Sequence, residues 1–541
     1  MVSRQTRGRI RPPALNLRCI IHPLTENWIP TKPAKVSSEG IVVAQHAAAA
    51  AVGAEILEAG GNAIDAAVAT AFALGIVEPW MSGLGGAGYL LYGEAGSGKV
   101  HVVDFGLVSA AALDPGRYKP TGGVSPDIFG WPLVEGDRNL KGYESICVPG
   151  SVDGLGLALE RFGRKPLAEV MAPAIRLAEA GLPVDWHTTL SIAVAAEDLR
   201  DFNSSAEIFL PGGLPPAPAR DGSRRHLPLQ RLAATYRRLA AAGRRDFYEG
   251  ELATAIVADL AAGGSPISAA DLAGYRARLV EPLTLDYHGV RLHGATALTG
   301  APTYLTAMER IAGRMGWEPQ SYPDMRSFLI YAEELRRAFA ERLRTLGQSD
   351  PSSHTTHLSV VDRDGNMVAL TNTLLARFGS KVVLPRTGIT MNNGMMWFDP
   401  EPGKPNSLGA GKRPLCNMCP VLITRDGVPW AALGASGGRR IIPAMVQLTS
   451  FIVDFSMPLE RAFAVPRLDA STDKVLCDNR FPPELVAMIA AEMPVEVVEE
   501  GVYPGQFANP SAVMRPLSSS RNTGMAHIHS PAAAAMVAGG G

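Results

Sequence analysis

Two segments in the last third of the chain alternate between apolar and polar residues at every second position. HLSVVDRDGNMVALTNT turns at Asp364-Gly365, and PVLITRDGVPWAALGASGG turns at Asp426-Gly427. Period-two alternation on both sides of an Asp-Gly pair is typical of a β-hairpin with a two-residue turn. We therefore expect two hairpins in this part of the chain.

Much of the remaining sequence is patterned as helix. Residues 46–79 contain two alanine-rich runs separated by a Gly-Gly pair, and Asn62 is placed to cap the second run. From residue 149 to about residue 344, apolar residues recur mostly at helical spacing. Residues 82–106 predict a glycine turn followed by two strands. Strands enclosed by helical layers predict an α/β sandwich rather than an all-α or barrel fold.

The bulk composition excludes several classes of function. The 541 residues are 46% hydrophobic and 19% charged with a formal net charge of -1, which gives no sign of a polyanion-binding surface. No run of about 18 apolar residues predicts a membrane span. We expect no nucleic-acid partner and no membrane partner. The basic start lacks the apolar core of a secretory signal, so residues 1–35 are interpreted as a disordered or dispensable lead, and the location as cytoplasmic, with the periplasm or an organelle as alternatives.

The five cysteines predict neither a disulfide framework nor a metal centre. An odd and sparse set over a chain of this length does not match the even, closely spaced pattern of disulfide-rich domains. Cys416 and Cys419 form a lone C-x-x-C, with no second pair and no histidine at ligand spacing. We expect no metal and no cofactor.

Two glycine-rich motifs suggest other chemistries. Gly83 to Gly88 match G-x-G-x-x-G, but a predicted helix precedes them and a strand follows, the reverse of a dinucleotide site, so we interpret them as a packed turn. Ser436 stands in a G-x-S-x-G sequence, and His527 and His529 follow in the order that a serine triad requires. An esterase built on Ser436 is therefore one alternative. The same glycine turn has another use, because free N–H groups where a helix begins suit an oxyanion.

The first hairpin begins at an unusual Thr-Thr step. A threonine hydroxyl is a weak nucleophile until a base stands beside it, and its own α-amine becomes that base once the preceding peptide bond is cut. A free α-amine has a pKa of about 7.7–8.0, which suits proton transfer near neutral pH. A two-residue turn would place Thr373 opposite Thr356, one residue from Thr355, where its hydroxyl could polarise the new terminus. The alternative is a threonine-rich edge strand without chemistry.

Several ordered segments resemble the γ-glutamyltransferase family. They include HAAAAAVGAEILEAGGNAIDAAVA, VPGSVDGLGLALERFGRKPLAEVMAPAIRLAEAG, TTHLSVVDRDGNMVALT, GKRPLCNMCP and SGGRRI, and the likeness runs from about residue 40 to about residue 515. The resemblance implies an α/β fold of the N-terminal-nucleophile hydrolase type, an αββα sandwich with two central sheets between helical layers. It also implies a proenzyme that cuts itself into a large subunit, residues 36–354, and a small subunit, residues 355–541.

The resemblance also assigns roles to individual residues. Thr355 resembles the family nucleophile, so the cut is expected between His354 and Thr355. Thr373 resembles the threonine that supports the nucleophile, and Gly437 and Gly438 resemble the paired glycines of the oxyanion hole. These threonines and glycines are the predicted catalytic residues, and His354 and Thr355 form the predicted cleavage site.

The residues that bind the glutamyl group in the family are largely replaced. The family uses an arginine in an Asp-x-Arg context, an asparagine two positions after the supporting threonine, a glutamine and an aspartate after paired asparagines, and a Ser-Ser pair. The residues at the corresponding positions here are Gly106, Leu375, Gly394, Trp397 and the pair Cys416-Asn417. A site that binds a zwitterion through charged side chains loses much of its affinity when those side chains are replaced.

The sequence thus predicts a self-processing threonine amidohydrolase. It would hydrolyse, or transfer, a γ-glutamyl or related acyl group from an amide through an acyl-enzyme on Thr355. The alternatives are an acylase for a non-glutamyl N-acyl or mono-amide substrate, the Ser436 esterase, and an uncut binding protein. The expected partners are a small-molecule amide and the two subunits of one precursor, as a heterodimer or a dimer of heterodimers. The short stretch between Phe398 and Lys412 implies an open site that favours hydrolysis over transfer.

Overall fold

The computed structural model describes residues 30–124, 132–315, 322–347, 354–503, 505–516 and 521–540. Residues 32–541 form one compact unit. Most of the predicted N-terminal lead lies outside the described residues, as does the segment that precedes the predicted cleavage site. Lys32 already belongs to the compact unit, and its ammonium donates to the carbonyls of His527, Ser530 and Ala533. Among the described helices, none combines the length and the apolar character that crossing a bilayer requires.

The helices follow the predicted pattern closely. Their bounds are α1 (Ala47–Glu58), α2 (Ala63–Val77), α3 (Ser151–Phe162), α4 (Leu167–Ala180), α5 (Trp186–Ala193), α6 (Ala196–Arg200), α7 (Asn203–Phe209), α8 (Gln230–Ala242), α9 (Asp246–Glu249), α10 (Glu251–Ala262), α11 (Ala269–Gly274), α12 (Ala301–Ala312), α13 (Met325–Thr345), α14 (Ile441–Val453), α15 (Leu459–Ala464) and α16 (Pro483–Glu492). Asn62 caps α2 as expected, in a capping box with Asp65. The two alanine-rich helices α1 and α2 pack closely because their side chains are small.

The strands occur in runs between groups of these helices along the chain. Their bounds are β1 (Lys35–Ser37), β2 (Ile41–Ala44), β3 (Ala87–Gly93), β4 (Val100–Phe105), β5 (Pro120–Val124), β6 (Pro132–Val134), β7 (Leu182–Pro183), β8 (His226–Leu227), β9 (Arg278–Val280), β10 (Leu283–Tyr287), β11 (Val290–Gly294), β12 (His354–Val361), β13 (Met367–Leu375), β14 (Val421–Arg425), β15 (Val428–Ser436), β16 (Leu468–Asp469), β17 (Val475–Asp478), β18 (Val495–Val498), β19 (Asn509–Met514), β20 (Asn522–Ala526) and β21 (Ala534–Val537).

Two large antiparallel sheets stack face to face between two helical layers. Sheet I has the order β21-β2-β12-β13-β3-β4-β9, and sheet II has the order β1-β20-β19-β15-β14-β11-β10. Leu358 and Leu370 of sheet I pack against α2, and Leu433 of sheet II packs against α14. Met367 and Leu422 belong to a third apolar cluster between the sheets. The predicted αββα sandwich of the N-terminal-nucleophile type is confirmed.

The register of the first hairpin differs from the prediction by one residue. The turn is a three-residue loop closed by Asp362 and Asn366, whose backbone N–H and side-chain amide both donate to the Asp362 carboxylate. Gly365 takes φ +92 in this loop, the left-handed position that such loops give to glycine. Thr373 therefore lies opposite Thr355 and not Thr356, so the predicted pairing was wrong.

The second hairpin has the predicted two-residue turn. Asp426 and Gly427 both have positive φ, 52° and 78°, as a type I′ turn requires. β14 and β15 flank this turn, with Arg425 paired to Val428.

Candidate active site

β12 and β13 bring two threonine hydroxyls together at one end of sheet I. The Oγ1 atoms of Thr355 and Thr373 are 3.4 Å apart, and both side chains are fully buried in the uncut chain. The N–H of Leu375 donates to Thr373 Oγ1 at 2.8 Å. The hydroxyl beside Thr355 is thus held in place by the backbone of the strand end. This contact between the two predicted residues is closer than the sequence-based register implied.

The residues after Thr355 continue a polar row that faces sheet II. His357 Nδ1 lies 2.8 Å from Thr371 Oγ1, and its Nε2 lies 3.1 Å from Ser359 Oγ. Burial lowers the pKa of His357 to about 3, so the imidazole is neutral at neutral pH. His357 was not among the residues predicted for the site, although its place in the period-two pattern put it on the same face as Thr355.

The glycine turn after β15 lies at the same edge of the sandwich as Thr355. A Cβ on Gly434 would fall 2.2 Å from the ring of His357, which lies two residues beyond Thr355. Gly437 and Gly438 follow with φ +131 and +63, and the value of +131 suits glycine alone. In the part of the chain that the structure describes, neither of their N–H groups donates a hydrogen bond to the backbone. Two free N–H groups at such a turn can stabilise an oxyanion.

The G-x-G-x-x-G sequence is a packed turn, as expected. A Cβ on Gly86 would fall 2.4 Å from the carbonyl oxygen of Thr373, and one on Gly88 would fall 2.1 Å from that of Thr371. Only glycine allows this segment to lie so close to β13. The glycines therefore help to position Thr373.

The arrangement around Ser436 does not match an esterase triad. Ser436 Oγ accepts a hydrogen bond from Gln45 Nε2 at 2.5 Å. His527 Nε2 lies 3.2 Å from a carboxylate oxygen of Glu500, and His529 also faces this carboxylate. The predicted bases are thus directed to Glu500 and not to Ser436.

Glu500, His527 and His529 form a cluster that resembles a set of metal ligands. Their potential ligand atoms lie within 4.8 Å of one another. Arg467 Nη2 also lies 3.2 Å from Glu500 Oε1, so the carboxylate is already paired with a cation. Burial alone would raise the pKa of Glu500, but Arg467 and the two histidines hold it well below its usual range. A cationic partner of this kind disfavours a metal ion at the same carboxylate.

A group of buried apolar side chains lies beside the threonine pair, and we call it the apolar wall. Its residues are buried members of the cluster between the sheets: Leu107, Leu375, Met395, Met396, Trp397 and Cys416. Leu375 adopts φ +85, which is unfavourable for a leucine, and its backbone N–H is the group that holds Thr373. One residue therefore links the paired threonines to the apolar wall.

The position that corresponds to the family arginine has no room for a large side chain. A Cβ on Gly106 would fall 2.7 Å from Tyr89 Oη and 3.3 Å from Arg413 Nη1. Arg413 Nη1 donates to the carbonyl of Gly106 at 2.9 Å and to the carboxylate of Asp104 at 3.2 Å. Arg278 also pairs with Asp104. The charged groups near Gly106 are therefore paired with one another.

The Cys416-Asn417 pair is held by a buried arginine. Arg342 Nη2 donates to the carbonyl of Cys416 at 2.8 Å and to Asn417 Oδ1 at 3.1 Å. Burial raises the pKa of the Cys416 thiol to about 12 and raises that of Cys419 further. Both thiols are therefore neutral at neutral pH, which is the unreactive form.

Comparisons with known proteins agree with this geometry. The family model described as gamma-glutamyltranspeptidase matches residues 49–353 and 346–515. The chain is 35% identical over 476 residues to the acylase ACY 1 proenzyme of Pseudomonas sp. strain SE83, covering 81% of this chain and 83% of that protein. It is 29% identical over 510 residues to the glutathione hydrolase proenzyme of Escherichia coli K12, covering 84% and 85%. The crystal structure of cephalosporin acylase from Bacillus halodurans matches with a TM-score of 0.83 and 25% identity, covering 96% of this chain and 99% of that one.

Proposed function

Because the chain belongs to the gamma-glutamyltranspeptidase family of N-terminal-nucleophile amidohydrolases, we propose that it is a self-processing threonine acylase for amides with an apolar acyl group. The nucleophile is Thr355 Oγ1, freed for catalysis by cleavage after His354. The observation that carries the proposal is the apolar wall, which adjoins Thr373 where relatives in the family bind a charged glutamyl group.

Processing uses the same hydroxyl as catalysis. Thr355 Oγ1 attacks the carbonyl carbon of His354, and the peptide C–N bond breaks to leave an ester and a free α-amine on Thr355. Water then hydrolyses the ester and returns the hydroxyl. β12 would begin the small fragment, but it pairs with β2 of the large fragment on one side, with Leu358 opposite Ala44. The two fragments share sheet I, so we expect them to remain together as a heterodimer.

Amide cleavage follows from the groups around the new terminus. The α-amine of Thr355 takes the hydroxyl proton as Oγ1 attacks the substrate carbonyl. The N–H groups of Gly437 and Gly438 stabilise the oxyanion, and the amine passes the proton to the leaving nitrogen. Thr373 Oγ1 holds the nucleophile in place. Water then hydrolyses the acyl ester, and the short stretch between Phe398 and Lys412 leaves the site open to it.

The character of the apolar wall argues against a zwitterionic acyl group. Moving charged groups against buried apolar side chains without partners is costly. Leu375 and Trp397 stand where the family places an asparagine and an aspartate, and the charges near Gly106 are paired with one another. The similarity to an acylase proenzyme and to a cephalosporin acylase supports an acylase reaction.

A panel of anilides tests the proposal. Hexanoyl, glutaryl and γ-glutamyl 4-nitroanilides share one leaving group, so kcat/KM compares the acyl groups alone. We expect the hexanoyl substrate to exceed the γ-glutamyl substrate by at least about tenfold. Thr355→Ala should abolish turnover of all three, and Thr355→Ser should retain part of it.

The alternative of γ-glutamyl transfer or glutathione hydrolysis is decided by the same panel. The similarity to the E. coli glutathione hydrolase proenzyme is the observation in its favour. A γ-glutamyl substrate that is turned over best would support it and would contradict the apolar acyl group, while leaving the role of Thr355 intact.

A further inference from the structure

A buried glutamine, Gln45, connects the two sheets beside the glycine turn that follows β15. Its Nε2 donates to Ser436 Oγ at 2.5 Å and lies 3.5 Å from the carbonyl oxygen of Asn509. Both Gln45 and Ser436 are buried. Ser436 is the last residue of β15, and Asn509 is its partner at the start of β19. One amide group thus contacts the ends of two neighbouring strands of sheet II.

The backbone of Gln45 is fixed by the elements on both sides of it. Gln45 directly follows β2, which pairs in sheet I with β12, the strand that carries Thr355. His46 then caps α1, because its Nδ1 accepts the N–H of Ala48 at 3.1 Å. The side chain that contacts Ser436 therefore extends from the same part of sheet I as the predicted nucleophile.

Two further contacts hold the end of sheet II against sheet I. Ser359 Oγ of β12 donates to the carbonyl of Ser511 in β19 at 3.3 Å. A Cβ on Gly437 would fall 2.9 Å from the Cα of Ala508, so this glycine lies directly against the residue that precedes β19. Water competes little for a hydrogen bond at such a buried position, which makes the bond a strong constraint. Gln45 can therefore fix the glycine turn through both β15 and β19.

Gln45 also joins the two proposed fragments next to the expected position of the oxyanion. It belongs to the large fragment, whereas Ser436 and the two glycines after it belong to the small fragment. We propose that Gln45 is a positioning residue: its hydrogen bond to Ser436 holds the glycine turn at the correct distance from Thr355. Donors stabilise an oxyanion only where it forms, and a displacement of about 1 Å can lower a rate about 100-fold. This inference rests on the proposed acylase function.

Variants of the two bonded side chains test the role of the bond in the processed enzyme. Gln45→Met keeps the length of the side chain but cannot donate, and Ser436→Ala removes the acceptor. We expect each to lower kcat about tenfold for every anilide that the wild type cleaves, with KM within about twofold of the wild-type value. The double variant should lose no more than the larger single loss, because all three lack the same bond. Ser436→Thr keeps the hydroxyl and should retain most of kcat.

Gln447→Met is the matched control, because Gln447 is also a buried glutamine that bonds through its amide. Its Nε2 donates at 2.8 Å to the carbonyls of Pro443 and Leu468, in the helical layer outside sheet II. This variant should lower Tm, as Gln45→Met does, but leave kcat within about twofold of the wild-type value. An equal loss of kcat in Gln447→Met would overturn the inference, and so would full kcat in Ser436→Ala, which tests the same bond should Gln45→Met fail to fold.

The affinity for pentylboronic acid tests the position of the turn without a leaving group. Its boron replaces the carbonyl carbon of a hexanoyl group. Thr355 Oγ1 adds to the boron while the α-amine takes the hydroxyl proton, and the product is a tetrahedral anion that resembles the oxyanion. We expect a Kd about tenfold weaker for Gln45→Met than for the wild type, and an unchanged Kd for Gln447→Met.

The boronate also separates a failure of this inference from a failure of the proposed function. If no anilide is turned over, the proposed function fails, and the Kd for pentylboronic acid then decides the role of Gln45 separately. Equal Kd values for Gln45→Met and the wild type, or no binding to either protein, would contradict a positioning role.

Discussion

The two sides of the threonine pair differ sharply in character. On one side, Thr355, Thr373 and the Gly437-Gly438 turn are polar groups whose positions are set by strand pairing and backbone contacts. On the other side lies the apolar wall, which consists of uncharged, mostly apolar side chains such as Leu375 and Trp397. Under the proposed function, the residues assigned to bond cleavage and the residues assigned to substrate choice form separate parts of this site.

Leu375 shows how close together the two parts lie. Its backbone N–H belongs to the proposed catalytic part, because it donates to Thr373 Oγ1 at 2.8 Å. Its side chain belongs to the apolar wall. A family that keeps its backbone geometry can therefore change its substrate by exchanging side chains at such positions. The residues that cleave the amide bond can then stay the same.

The largest effect is expected from removal of the nucleophile. Thr355→Ala should leave the chain uncut and lower amide turnover on the order of 10⁴-fold or more, because the other groups of a triad-like site act only through the nucleophile. Thr355→Ser should still be cut. Electrophoresis under denaturing conditions and anilide turnover measure the two effects. An uncut but active Thr355→Ala protein would show that the chemistry lies elsewhere.

Removal of the second hydroxyl should have a smaller effect on the same side of the comparison. Thr373→Ala deletes the oxygen that lies 3.4 Å from Thr355 Oγ1 and accepts the N–H of Leu375. We expect kcat to fall about 10- to 100-fold for every acyl group alike, the range of a lost hydrogen bond to a charged or polar partner. Thr373→Ser is the matched control and should retain most activity. A change in the ranking of acyl groups would place Thr373 in substrate choice instead.

A change on the apolar side should alter the ranking of acyl groups and leave processing intact. Leu375→Asn restores a polar side chain and suits the positive φ of 85° at this position, since asparagine tolerates that region better than leucine. We expect the γ-glutamyl to hexanoyl ratio of kcat/KM to rise about tenfold. Leu375→Met keeps the apolar surface and should leave the ratio near the wild-type value. If Leu375→Asn lowered kcat/KM equally for both substrates, the catalytic side and the apolar side of the site could not be treated as separate.

The last prediction concerns the stability of the fold rather than turnover, and it involves the buried acid Glu78. Burial raises the pKa of Glu78 from 4.5 to about 8. The folded chain therefore keeps a proton that the unfolded chain releases, and the free energy of unfolding falls as the pH rises from about 5 to about 8, by at most about 1.4 kcal/mol per pH unit. Glu78→Gln should remove this dependence, whereas Glu58→Gln, at an exposed position, should not. Urea unfolding of the uncut Thr355→Ala chain at pH 5 and pH 8 measures it.

The sequence predicted the fold well because its strongest signals are local. Asn62 and the Asp426-Gly427 turn act through neighbouring residues, and the structure confirms both. The register of the first hairpin was wrong by one residue because Asp362 and Asn366 close a longer loop than the Asp-Gly pair indicated. The Asp-Gly pair thus predicted that a hairpin forms, but it did not predict the register of the two strands.

The surroundings of the site depend on contacts between distant parts of the chain. Gln45 and Ser436 lie 391 positions apart, and Gln45 stands in no motif with a chemical meaning of its own. His357 was placed on the correct face by its period, yet its neutral state follows from burial that only the folded sheets provide. The esterase alternative failed for a similar reason, since the partner of Ser436 is Gln45 and not a histidine.

The most direct test of the central claim is the mass of the denatured protein after brief reaction with its best anilide. The account predicts two fragments, the smaller beginning at Thr355 and carrying the mass of one acyl group, and it predicts an uncut, unmodified chain for Thr355→Ala. A wild-type chain that remains whole while cleaving the anilide at its full rate would contradict the account.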